Sequence, residues 1–91
     1  MKVSWNSSPL AGKEFSFTVE PNSNFAKTSI YLDDKLVFTQ ECADPPCHEM
    51  FLIPYNAAGK SLLLTAINSD GEKFTELLEI KENPDNKSLE L

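Results

Sequence analysis

The chain has 91 residues, 41% of them hydrophobic, and a formal net charge of −6. That length holds one domain with a small core. The acidic balance excludes the basic stripe needed for nucleic acid and the polybasic patch that docks on anionic lipid. No stretch approaches the roughly 18 apolar residues of a membrane span, and no apolar run follows Lys2 as a signal peptide would require. No nucleic-acid partner and no membrane insertion are therefore expected.

Hydrophobic residues recur with period 2 almost throughout. Residues 2–6 form a short first strand carrying the sole tryptophan, Trp5, and Ser7-Ser8-Pro9 breaks it. In residues 13–19, Phe15, Phe17 and Val19 alternate with polar residues, the pattern of a half-buried strand. Pro21-Asn22-Ser23-Asn24 is turn chemistry. Residues 28–32 place Ile30 and Leu32 on one face and Ser29 and Tyr31 on the other. Asp33-Asp34 then separates this run from Lys35-Leu36-Val37-Phe38, which predicts a hairpin. Such a turn needs positive φ, which aspartate tolerates better than most residues.

Pro45-Pro46 makes residues 41–47 a loop. Residues 48–53 return as a strand that Pro54 ends, and residues 56–59 form a further loop. Ser61–Asn68 is the most apolar run and is expected at the centre of its sheet. Ser69-Asp70-Gly71 turns the chain into residues 72–80, with Phe74, Leu78 and Ile80 on one face. Glu76 and Leu77 interrupt the alternation there and suggest a β-bulge. A helix over residues 73–81 is the competing reading, with Phe74, Leu77, Leu78 and Lys81 at helical spacing, but the Asp70-Gly71 turn favours a hairpin strand. One domain over residues 1–81 and a polar tail or linker over residues 82–91 complete the organisation.

Four residues separate Cys42 from Cys47, and Pro45-Pro46 stiffens the turn between them. A structural disulfide is the leading reading. Free thiols, or a zinc site using Cys42, Cys47 and His48, are the alternatives. The spacing is not that of a Cys-x-x-Cys redox motif. His48 has no nucleophile placed beside it by any motif. Asp33 and Asp34, and Asp70 with Glu72, lack the ligand density of a calcium loop and fall at opposite ends of a sandwich. No enzymatic activity, metal or cofactor is therefore expected.

Three segments together resemble a known family. They are Lys13-Glu14-Phe15-Ser16-Phe17-Thr18-Val19, Ser29-Ile30-Tyr31-Leu32-Asp33-Asp34-Lys35-Leu36-Val37 and Leu62-Leu63-Leu64-Thr65-Ala66-Ile67-Asn68-Ser69-Asp70-Gly71-Glu72, with the cysteine pair between the last two. They resemble bacterial and archaeal immunoglobulin-like domains, which occur in tandem in secreted and surface-attached proteins. The resemblance spans residues 8–80 and is carried by hairpin turns and strand spacing. It implies an all-β, antiparallel immunoglobulin-like β-sandwich of about seven strands. It also implies a spacer or protein-interaction module of a longer secreted or surface protein, contacting neighbouring domains or another protein. Asp34 stands where the family usually has glycine, and the Cys…Trp…Cys core of antibody domains is absent. A cytoplasmic location is the alternative to secretion. From a different class, the alternative function is a carbohydrate-binding module accessory to an extracellular enzyme, with Tyr31 and Trp5 as ligand contacts.

Overall fold

A strand with one apolar face must cover that face, and two stacked sheets do so for all such strands at once. The computed structural model describes residues 1–84 and has seven strands: β1 (Lys2–Trp5), β2 (Glu14–Glu20), β3 (Ala26–Leu32), β4 (Lys35–Cys42), β5 (Cys47–Leu52), β6 (Ser61–Asn68) and β7 (Lys73–Glu79). They form an antiparallel β-sandwich with one sheet ordered β1-β2-β5 and the other β4-β3-β6-β7. The apolar run β6 lies inside its sheet, between β3 and β7.

The inward residues of β2, β3 and β6 make the core, including Phe15, Phe17, Val19, Ile30, Leu62 and Leu64, each at most 3% exposed. Six aromatic rings run through it in sequence: Phe74, Trp5, Phe15, Phe17, Phe38 and Phe51, with successive centroids 5.7–6.3 Å apart. Phe74 and Phe38 belong to the four-stranded sheet and the other four to the three-stranded sheet, so this file of rings joins the two layers. The segment after β1 also joins them. Leu10 pairs in parallel with Lys81, with Ala11 N–H donating to the Lys81 carbonyl at 3.0 Å and Lys81 N–H to the Pro9 carbonyl at 3.0 Å.

The β3–β4 turn has the conformation expected of it, with φ of 46° at Asp33 and 69° at Asp34. The carboxylate of Asp33 accepts the Ser61 N–H at 3.0 Å, which ties the turn to the start of β6. Most strand ends differ from expectation by one or two residues, with the largest consequence at the cysteine crossover. β4 runs on to Cys42 and β5 starts at Cys47, so the loop between them shrinks to residues 43–46. The helix reading of residues 73–81 fails, because β7 pairs with β6 from Ser61↔Glu79 to Ile67↔Lys73. That register is unbroken, so no bulge occurs at Glu76-Leu77. The bulge lies instead in the β3–β4 ladder, between Ile30 and Tyr31. Leu77 breaks the pattern only because it faces solvent, 63% exposed, while Glu76 points inward at an open sheet edge. At the other boundary, Asn83 is buried, so packing continues past residue 81. Residues 85–91 of the expected tail lie outside the described residues.

Each longer edge strand carries an inward-facing polar residue: Gln40 on β4, Glu49 on β5 and Glu76 on β7. A polar group there discourages another chain from extending the sheet, since pairing would bury it. One polar group is buried without such access to water. Thr28 is fully buried on β3, and its hydroxyl has no hydrogen-bond partner among the described residues. Thr28→Val keeps the shape and removes the unpaired hydroxyl, so it should stabilise the fold by about 1–2 kcal/mol in urea titrations.

Candidate functional site

Three loops gather at one end of the sandwich: residues 21–25, 43–46 and 69–72. Cys42 closes β4 in one sheet, and Cys47 opens β5 in the other. Their Cα atoms are 6.0 Å apart and the two sulfurs are bonded. The bridge therefore fastens sheet to sheet across the four-residue crossover. Cys42 is 2% exposed and Cys47 half-buried. The disulfide disposes of the two alternatives for this pair: the thiols are not free, and neither sulfur is a thiolate ligand for zinc. His48 follows Cys47 directly in the strand and points to the opposite face of its sheet.

Asn68 organises the other two loops. Its buried side-chain amide donates to the Pro21 carbonyl at 2.8 Å and to Glu72 Oε1 at 3.0 Å. Its Oδ1 accepts the N–H groups of Asp70 at 3.1 Å and Glu72 at 2.9 Å. All four hydrogen-bonding positions of the amide are thus used. Ser69 N–H adds a bond to the Phe25 carbonyl at 3.2 Å. The Met1 ammonium, 2.9 Å from Glu72 Oε1, holds that carboxyl below its ordinary range, and Asn68 contributes to the same shift. In the sequence Asn68 marks only the end of a strand. The available signal was an Asn leading into Ser-Asp-Gly, the chemistry of a side chain capping its own turn. Between the first two loops runs an open groove of about 520 Å³, lined by Glu20, Pro21, Asn22, Ser23, Pro45 and Pro46.

The outer sheet faces hold the remaining candidates. Thr18 and His48 are register partners on the three-stranded sheet, and Thr18 Oγ1 lies 3.0 Å from His48 Nδ1. This pairing of a hydroxyl with an imidazole was not legible in the sequence, because it depends on the β2–β5 register. Both residues line a shallow, open depression of about 380 Å³.

Trp5 and Tyr31 are not brought together. Trp5, half-buried, packs tilted against Phe15 and edge-on against Phe74, both at 6.3 Å. Tyr31 is on the outer face of the four-stranded sheet, half-exposed, beside a shallow groove that Ser29, Thr65 and Thr75 also line. Tyr55, 78% exposed, belongs to neither face and sits in the loop after β5.

Glu49 is the one carboxyl that burial acts on most. It faces inward on edge strand β5, and desolvation raises its pKa. The native state therefore disfavours the charged form. The stability linked to this group is full at low pH, where the carboxyl is protonated, and falls as pH rises through its raised pKa. Glu49→Gln should stabilise the fold at neutral pH by well under about 1 kcal/mol, given partial solvent screening. The gain should vanish below about pH 4 in parallel denaturant titrations.

No family model, curated protein sequence or solved structure matches this chain.

Proposed function

We propose that this chain is a non-enzymatic immunoglobulin-like module, serving as a spacer or protein-interaction domain of a larger secreted or surface protein. The observation that carries the reading is the disulfide that staples the β4–β5 crossover between two small antiparallel sheets. Small domains with limited cores gain most from such a staple, and disulfides persist in oxidising compartments. The strand order adds support. Placing strands one, two and five in one sheet and three, six and seven in the other follows the immunoglobulin division, with the fourth strand beside the third.

The non-enzymatic part of the reading draws on the openness of the Thr18–His48 pair. A hydroxyl and an imidazole in a shallow, open depression of a sheet face lack the enclosed, oriented surroundings that make such pairs nucleophilic. Interaction is assigned to the end where three loops are tied together, because a surface already held rigid loses little entropy when a partner docks. Carbohydrate binding is the weaker reading. It has Tyr31 beside the hydroxyls of Ser29 and Thr65, but Trp5 is committed to the core.

The test is to locate the protein in its source cells and alkylate it without reductant. Recovery from the medium or cell surface with both cysteines protected is expected. A cytosolic protein with two alkylated thiols would overturn the reading.

A further inference from the structure

The register of the four-stranded sheet lines up its outward residues in rows that cross all four strands. One row is apolar. Tyr31 pairs with Leu36 on one side and Leu63 on the other, and Leu63 pairs with Leu77. Leu36 is 51% exposed and Leu77 63%, so the row is open to solvent at both ends. The next row carries only hydroxyls, Thr39, Ser29, Thr65 and Thr75. The third runs Glu41, Lys27, Ile67, Lys73. The other sheet offers nothing comparable, since its exposed Met50 and Leu52 lie opposite Ser16 and Glu14.

We propose that this face is a homotypic docking surface, on which a second copy of the chain packs about a two-fold axis parallel to the strands. Such an axis brings β4 of one copy over β7 of the other, and β3 over β6. Each row then meets itself reversed. Leu36 faces Leu77, Tyr31 faces Leu63, and hydroxyls face hydroxyls. At the third row Glu41 faces Lys73, twice over by symmetry, while the Lys27 stem covers Ile67. At the opposite end Glu79, paired with Lys81 at 3.0 Å, comes over the Asp33-Asp34 turn of the other copy, a like-charge contact that Lys81 offsets in part. The face is thus self-complementary in its apolar and hydroxyl rows and in the charges of the Glu41–Lys73 row, which favours a second copy over an unrelated partner. Two aligned sheets pack in this manner at about 30° to each other.

The area sets the strength. Four strands of about seven residues cover about 400–500 Å² per copy, so the pair buries about 800–1,000 Å², at the weak end of specific interfaces. This inference deepens the interaction-module reading and names one partner for it, on a surface separate from the loop end.

Sedimentation equilibrium of the whole chain tests it. The weight-average mass should climb from monomer towards dimer between about 10 µM and 1 mM. Leu77→Lys, at an exposed position, should remain monomeric with an unchanged near-UV circular dichroism spectrum. Glu41→Lys and Lys73→Glu should each weaken association, because each opposes like charges across both symmetry-related contacts. An equimolar mixture of those two variants should restore it, because the heterodimer has opposite charges at both contacts. A wild-type chain that stays monomeric, a Leu77→Lys chain that dimerises equally well, or a mixture no better than its components would each overturn the proposal. None of these outcomes bears on cysteine state or cellular location, so failure here is distinct from failure of the broader reading.

Discussion

Phe17→Ala should lower the unfolding free energy by about 3–5 kcal/mol, the range for deleting a buried phenylalanine side chain. Phe17 is 3% exposed, and its ring stands 5.7 Å from Phe15 and 6.3 Å from Phe38. It meets Phe38 at one of three places where the file crosses between the sheets, with Trp5–Phe74 and Phe38–Phe51 the others. Removing it costs the transfer energy of the ring, leaves a void, and breaks edge-on contacts between the layers. The strand ladders hydrogen-bond within each layer and the Leu10–Lys81 link lies outside them, so between the strands the layers are held by side-chain packing. A domain of this size holds about 5–14 kcal/mol in total. The variant should therefore sit close to its unfolding threshold at 37 °C. Chemical denaturation followed by Trp5 fluorescence measures the loss directly, because Trp5 belongs to the same file. A loss below about 1 kcal/mol would mean that the layers are held together elsewhere.

Removing the disulfide should have the next largest effect. With Cys42→Ala and Cys47→Ala together, the closed loop is short, and the chain-entropy relation gives a loss of about 2 kcal/mol. For a domain of this length that lowers the melting temperature by about 8–16 °C. Dithiothreitol on the wild-type chain should reproduce the shift, and the double variant should no longer respond to it. Cys42→Ser alone should cost more than the double alanine variant, because a hydroxyl would replace sulfur at a site 2% exposed. Ladder hydrogen bonding of β4 to β3 and β5 to β2 does not involve the bridge, so the strand content seen in far-UV circular dichroism should be unchanged. A variant as stable as wild type would show that the crossover is held by the loops alone.

Period-2 patterning and turn chemistry determined the seven strands and their approximate places, because alternation and positive-φ turns are local properties. Asp33-Asp34 and Ser69-Asp70-Gly71 each specify a turn through the conformations their own backbones accept. The closeness of Cys42 and Cys47 in the chain made a bridge readable for the same reason. What lay beyond the sequence depends on which strand meets which. Leu77 looked like a bulge, yet it is an ordinary outward residue whose meaning comes from its alignment with Leu63, Tyr31 and Leu36. Thr18 and His48 are thirty positions apart and became neighbours only through the β2–β5 register. Asn68 looked like the end of a strand until its side chain met the Pro21 carbonyl, 47 positions away in the chain. The sequence by itself determined the strands, because side-chain periodicity acts over a few residues. Only the tertiary structure decided the outer-face rows, the hydroxyl–imidazole pair and the capping amide, because register and sheet order are set by the burial of the whole chain at once.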